Sequence, residues 1–234
     1  VKKSILFALL LMGFTSLVVQ SLLIREFLIT FYGNELTIGI ILANWIILEA
    51  IGSYAFSRLS LRAKRPHLVY ALLQLGISLY LPLSIYFIRT VKNILGLTIG
   101  EGISILTIFF SSFFICSPLS LFDGGQFPFG CRILSDASKK PLESTGKVYV
   151  LEAIGFILAG PIFTYILITK LNSFSIVFFL GLLNLTSSIL LLKDNLKDIL
   201  SRSFFIIITL LFVFGIFSYF RLSEGLQRYT INKQ

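Results

Sequence analysis

Apolar residues run along this chain in stretches of 17–22 positions, separated by short clusters of Lys, Arg, Asn, Ser and Gly. Seven such runs stand out: Ser4–Ile24, Thr37–Phe56, Leu68–Ile88, Ile103–Leu121, Val148–Thr169, Phe174–Leu192 and Phe204–Phe220. About 20 apolar residues cross the hydrocarbon core of a bilayer as a helix. A helix satisfies its backbone polar groups within one segment, which lipid cannot do for it. The short alternating segments of a membrane β-barrel are not the pattern here. The expectation is an all-α, multi-pass transmembrane bundle of about seven spans. It forms one membrane domain over residues 1–220, with a juxtamembrane tail at 221–234.

The fourth run leads into Ser117–Arg132, SPLSLFDGGQFPFGCR. Its two prolines and adjacent glycines predict a break, either a re-entrant segment or a turn at the membrane surface. Cys131–Lys147 reads as the longest polar loop. That is too short for a soluble domain.

Composition agrees with the pattern. Hydrophobic residues make up 56% of the 234 positions, and mean hydropathy is +0.92. Only 13% are charged, against roughly 25% in soluble domains. The net charge of +9 does not indicate nucleic acid, because the basic residues flank apolar runs and no soluble stretch interleaves them with aromatics. With the N-terminus in the cytoplasm, 13 Lys and Arg fall inside and 7 outside. That bias predicts an N-inside orientation, led by Arg58, Arg62, Lys64 and Arg65. Lys2 and Lys3 precede the first run as in a signal peptide, but the run is long and no small-residue cleavage site follows, so a retained first span is expected. Cys116, Cys131 and the single His67 give neither a disulfide framework nor metal-ligand spacing. No cofactor is expected.

Polar residues inside the apolar runs carry the candidate chemistry. The first hairpin holds Gln20, Arg25, Glu26, Asn34, Glu35, Asn44 and Glu49. Glu49 lies in mid-span, and Trp45, Gly52 and Ser53 share its helix face. It reads either as a site for a cation, an amine or a proton, or as a carboxylate that joins helices. Gly39 and Ala43 form a small-xxx-small pair suited to close helix packing. Glu152 opens the fifth run and reads as a second intramembrane carboxylate or as an interfacial one near Lys147. The string LEAIG occurs at 48–52 and again at 151–155, which raises an internal repeat. Arg25 either snorkels to the interface or pairs with Glu35 or Glu49. Asp123, beside Gly124 and Gly125, lines a cavity, helps hold an anion or sits in a surface turn. No phosphate loop, dinucleotide fingerprint or zinc-protease motif is present, and no Ser/His/Asp set is plausible.

Taken in order, several pieces form a recognisable series. They are Gly13 with Gln20, Arg25 and Glu26; Ala50-Ile51-Gly52-Ser53 with Arg58; Phe127-Pro128 with Arg132; and Gly146, Tyr149, Glu152 and Gly155. The series resembles the N-terminal membrane domain of bacterial membrane-bound spermidine synthase-like proteins, the transporter-fused polyamine aminopropyltransferases. The resemblance implies the bacterial inner membrane, a polyamine or other organic cation as ligand, and a soluble aminopropyltransferase domain as partner. In that family a catalytic domain follows the last span. The chain reaches Gln234 about where it would begin, so no catalytic residue carries over and no transfer activity is expected of this polypeptide alone. An odd number of spans puts the tail outside, whereas the family's substrates are cytosolic. A re-entrant segment near Asp123 would reconcile the two. The primary expectation is a membrane anchor that can also handle a polyamine or other cation. Beside it stand two other readings: a small transporter-like protein of major-facilitator-like descent, and a scaffold for a separate soluble enzyme.

Overall fold

The computed structural model describes residues 3–33, 35–96, 103–193, 203, 206–208, 210 and 211. Among these, six helices are long and apolar enough to cross a membrane. They are α1 (Lys3–Phe31), α2 (Glu35–Arg62), α3 (Pro66–Ile94), α4 (Ile105–Ser138), α5 (Pro141–Lys170) and α6 (Ser173–Lys193). No strand occurs among the described residues. Most of the seventh run, Phe204–Phe220, and Asn34 lie outside them. The described residues at 206–211 are helical, and Ile208 is buried with Ala71 and Leu75 of α3 and Leu185 and Leu192 of α6.

The expected break in the fourth run does not occur. From Ile105 to Ser138 the chain is one helix, with Pro118 and Pro128 inside it. Proline removes the donor that would serve the carbonyl four residues earlier. For Pro118 that carbonyl belongs to Phe114, and the Ser117 hydroxyl donates to it at 3.0 Å. Membrane helices tolerate proline when such a donor is at hand. The glycines serve packing rather than turning. A Cβ on Gly124 would run into the Glu49 carbonyl, and one on Gly125 would press on the Phe56 ring. Asp123 therefore sits on a through-running helix, not in a re-entrant segment or a surface turn.

The expected polar loop also shrinks. Lys139, in the left-handed region at φ 58°, ends α4, and its N–H bonds the Ser135 carbonyl at 2.8 Å. Pro141 then starts α5 at a position where its missing donor is harmless. Glu152 is thus eleven residues into α5 rather than at its mouth. Further on, α5 passes through a π-helical turn, Phe163–Leu167, just after Pro161.

α1, α3 and α6 bury more than half of their most apolar stretch, and α2, α4 and α5 a third or less. The closest pairings are α2 with α4, α1 with α5, and α3 with α6. Two of these share one crossing geometry. In the α1–α5 crossing, a Cβ on Gly13 would strike the Glu152 carbonyl, and one on Gly155 the Leu10 carbonyl. In the α2–α4 crossing, a Cβ on Gly124 would strike the Glu49 carbonyl, and one on Gly52 the Leu121 carbonyl. Each crossing sets one glycine against the carbonyl of a Glu three residues before the second glycine. That second glycine faces the carbonyl three residues before the first. The two LEAIG strings occupy equivalent places in these crossings, so the short match marks a shared packing unit. Side-chain bonds add interhelical polar contacts. Asn184 donates to Thr15 at 3.0 Å, Gln74 to Ser187 at 3.1 Å, and Asn44 to the Phe109 carbonyl and to Ser112 at 2.9 Å each.

An acidic cleft as the candidate functional site

The two glycine crossings bring α2 and α5 to either side of α4, each with a Glu one turn before its crossing glycine. The cleft between them has a volume of about 430 Å³ and is lined by Glu49, Asp123 and Glu152. Its walls add Ile46, Ala50 and Ser53 from α2, Gly124 and Phe127 from α4, and Tyr149 and Phe156 from α5. Among the described residues no basic side chain lines it.

The three carboxylates share a depth. Glu49 is 13 residues before Arg62, Asp123 is 15 before Ser138, and Glu152 is 11 after Pro141. These ends are joined in sequence or neighbour one another on one side of the bundle, if the helices alternate across the bilayer. At about 1.5 Å per residue all three lie roughly 16–22 Å from that side. All three line the same cleft.

Each carboxylate has a different surrounding. Asp123 is the most enclosed at 7% exposure, and the Ser16 hydroxyl of α1 donates to its Oδ2 at 2.5 Å. Glu49 is half-buried, one turn after the buried Trp45. Glu152 is half-buried beside Tyr149 and Phe156. Among the described residues no ion pair joins any of the three to a cation. Nor do they and their neighbours form a group of three or more His, Cys, Asp or Glu tight enough to hold a metal ion.

The other residues singled out from the sequence lie elsewhere. Asn44 is fully buried and ties α2 to α4 through the bonds given above. Gln20 and Arg25 are half-buried on α1 and do not line the cleft. The ion pair of that region is made by the neighbour of Arg25. Glu26 takes Nε of Arg89 on Oε2 at 2.7 Å and Nη2 on Oε1 at 3.1 Å. Ser173 of α6 donates to the same Oε1, and the guanidinium stacks 5.2 Å from the Phe174 ring centre. Sequence reasoning counted Arg89 only as a flanking charge. Its signal was an Arg directly after an apolar run, facing an apolar helix with one spare carboxylate. Ser16 and Phe156 gave no signal, and Phe127 stood out only as part of the Phe127-Pro128 piece of the resemblance.

The fold and its apolar surface define a multi-pass helical membrane protein. No protein-family model matches the chain, and neither a curated protein nor a solved structure does.

Proposed function

We propose that this membrane domain binds an organic ammonium ion in the cleft between α2, α4 and α5. The observation that carries the reading is three carboxylates from three helices in one intramembrane cleft, with no basic residue among the described residues of its lining. Negative charge at that depth demands a compensating cation or proton. Tyr149, Phe127 and Phe156 supply ring faces that attract an alkylammonium more than they attract a hydrated metal ion. Asp123, fixed by Ser16, is the anchoring acceptor, and Glu49 and Glu152 close on the ligand from the two sides. The resemblance to spermidine synthase-like membrane domains adds that the cation be a polyamine and that the domain serve as anchor for a soluble aminopropyltransferase.

The single tryptophan, Trp45, stands one turn from Glu49 and is buried, so its fluorescence reports the site. Full-length protein in nanodiscs, titrated with spermidine, butylamine and dodecylamine, should show a saturable change for at least one of them. Glu49→Gln and Asp123→Asn should each weaken that response at least tenfold. A flat response to all three amines would remove the reading.

A further inference from the structure

We infer that the cleft receives its ligand from the bilayer, and that the ligand is an amphiphilic amine, an ammonium headgroup on a hydrocarbon tail. This rests on the cation-binding reading above and narrows its ligand class.

The cleft is confined to the middle of the bundle. Its lining spans Ile46–Ser53 on α2, Asp123–Phe127 on α4 and Tyr149–Phe156 on α5. The lining residue nearest a helix end is Tyr149, eight residues from Pro141, or about 12 Å. Toward the core it is closed. The Gly13–Gly155 crossing brings α1 and α5 into backbone contact, and Asp123 is bonded to Ser16 behind it. The mouth is at the side, where Ile46 is 61% and Tyr149 67% exposed. Around it the outer faces of α2 and α5 present exposed Ile47, Ile51, Ile154 and Ile157. Those faces belong to hydrocarbon in a membrane. The start of the seventh run does not cover them, because Ile208 and Leu211 pack on the α3–α6 side.

Asp123 has an acceptor to spare. It is more than nine-tenths buried, Ser16 occupies Oδ2, and Oδ1 has no hydrogen-bond partner among the described residues. That oxygen belongs to a residue of the cleft lining and is free to accept a donor there. An ammonium group supplies up to three donors. A hydrophilic polycation would have to cross hydrocarbon to reach this mouth. A tailed amine reaches it by diffusing in the bilayer, keeps its tail in lipid and places only its headgroup among Asp123, Glu49 and Glu152.

The test uses the full chain in zwitterionic nanodiscs with Trp45 fluorescence as readout. Dodecylamine is titrated by its mole fraction in the bilayer, alone and with a large aqueous excess of spermidine. Dodecanol is the uncharged control. Dodecylamine should give a saturable change, dodecanol none, and spermidine should move half-saturation less than twofold. Glu152→Gln and Asp123→Asn, each checked for an unchanged melting temperature, should raise half-saturation at least tenfold. If spermidine raises half-saturation tenfold or more, or binds as well by itself, the ligand arrives through water. The inference then falls while the cation site stands. If dodecanol matches dodecylamine, the tail alone is bound and the inference falls. If no amine responds, the cation site itself falls with it.

Discussion

Two groups of carboxylates sit within this bundle, and they are treated in opposite ways. Glu26 is enclosed by α1, α3 and α6, and every acceptor need is met from within: two bonds from Arg89, one from Ser173, and a ring face for the guanidinium. Glu49, Asp123 and Glu152 stand on the outer helices, and among the described residues the one hydrogen bond they receive comes from Ser16 to Asp123. A buried pair with its charge balanced by the chain is a structural joint. It holds three helices together and has nothing left to offer a ligand. Three acidic groups without a basic partner among the described residues are tied to the bundle only through the Ser16–Asp123 bond and have capacity left over. The same residue type thus marks architecture in one place and a binding surface in the other. What separates them is the partner, and Glu26 also lies nearer a helix end, five residues before Phe31.

That contrast fails most visibly if removing a partner from the inner pair is harmless. Arg89→Ala leaves Glu26 charged, buried and unpaired, which should cost about 3–5 kcal/mol. Thermal unfolding in detergent measures it. Replacing both members by leucine and methionine should recover most of the loss, because neither charge is then stranded.

The glycine crossings come next. Gly124→Ala forces a Cβ against the Glu49 carbonyl, and overpacking of this kind costs about 1–3 kcal/mol. It should also widen the gap between α2 and α4 and reshape the cleft. Gly39→Ala is the matched control, since nothing lies within 4 Å of the added atom. Its melting temperature should stay close to wild type or rise.

Asn44→Ala removes the bonds to Phe109 and Ser112. Interhelical polar contacts in membrane bundles average about 0.6 kcal/mol, so a small drop in melting temperature is expected.

The smallest stability effect belongs to the outer group. Glu49→Gln and Glu152→Gln should leave the melting temperature unchanged or raise it, because a chain-balanced ion pair is not being broken. Their effect should appear instead as weakened amine binding. A loss of stability as large as that of Arg89→Ala would show that the outer carboxylates are structural after all and erase the comparison.

Much of the architecture was legible because lipid leaves few options. The sixth run, Phe174–Leu192, matches α6 to within a residue at each end. The fourth and fifth did not, since Pro118, Gly124, Gly125 and Pro128 carry the local marks of a turn. In water those marks are reliable. In lipid an interrupted backbone is more costly than a proline, and Ser117 repairs the bond that Pro118 loses. The candidate site was partly legible. Glu49 and Glu152 stood out as acids in apolar runs, and LEAIG tied them together. Asp123 stood out beside its glycines as a cavity lining, an anion contact or a turn; it lines the cleft, on a continuous helix rather than in a turn. Arg25 was noticed while the pairing residue was its neighbour Glu26.

From the sequence alone came the solvent of this protein and the class of its fold: runs of about 20 apolar residues leave helices as the solution. It also supplied the list of polar groups that must be accommodated at depth. Only the tertiary structure decided which of them are satisfied. Glu26 meets Arg89 across 63 positions, and Ser16 meets Asp123 across 107. No local pattern encodes such pairings. They follow from how the helices pack, and that packing depends on both helices at once.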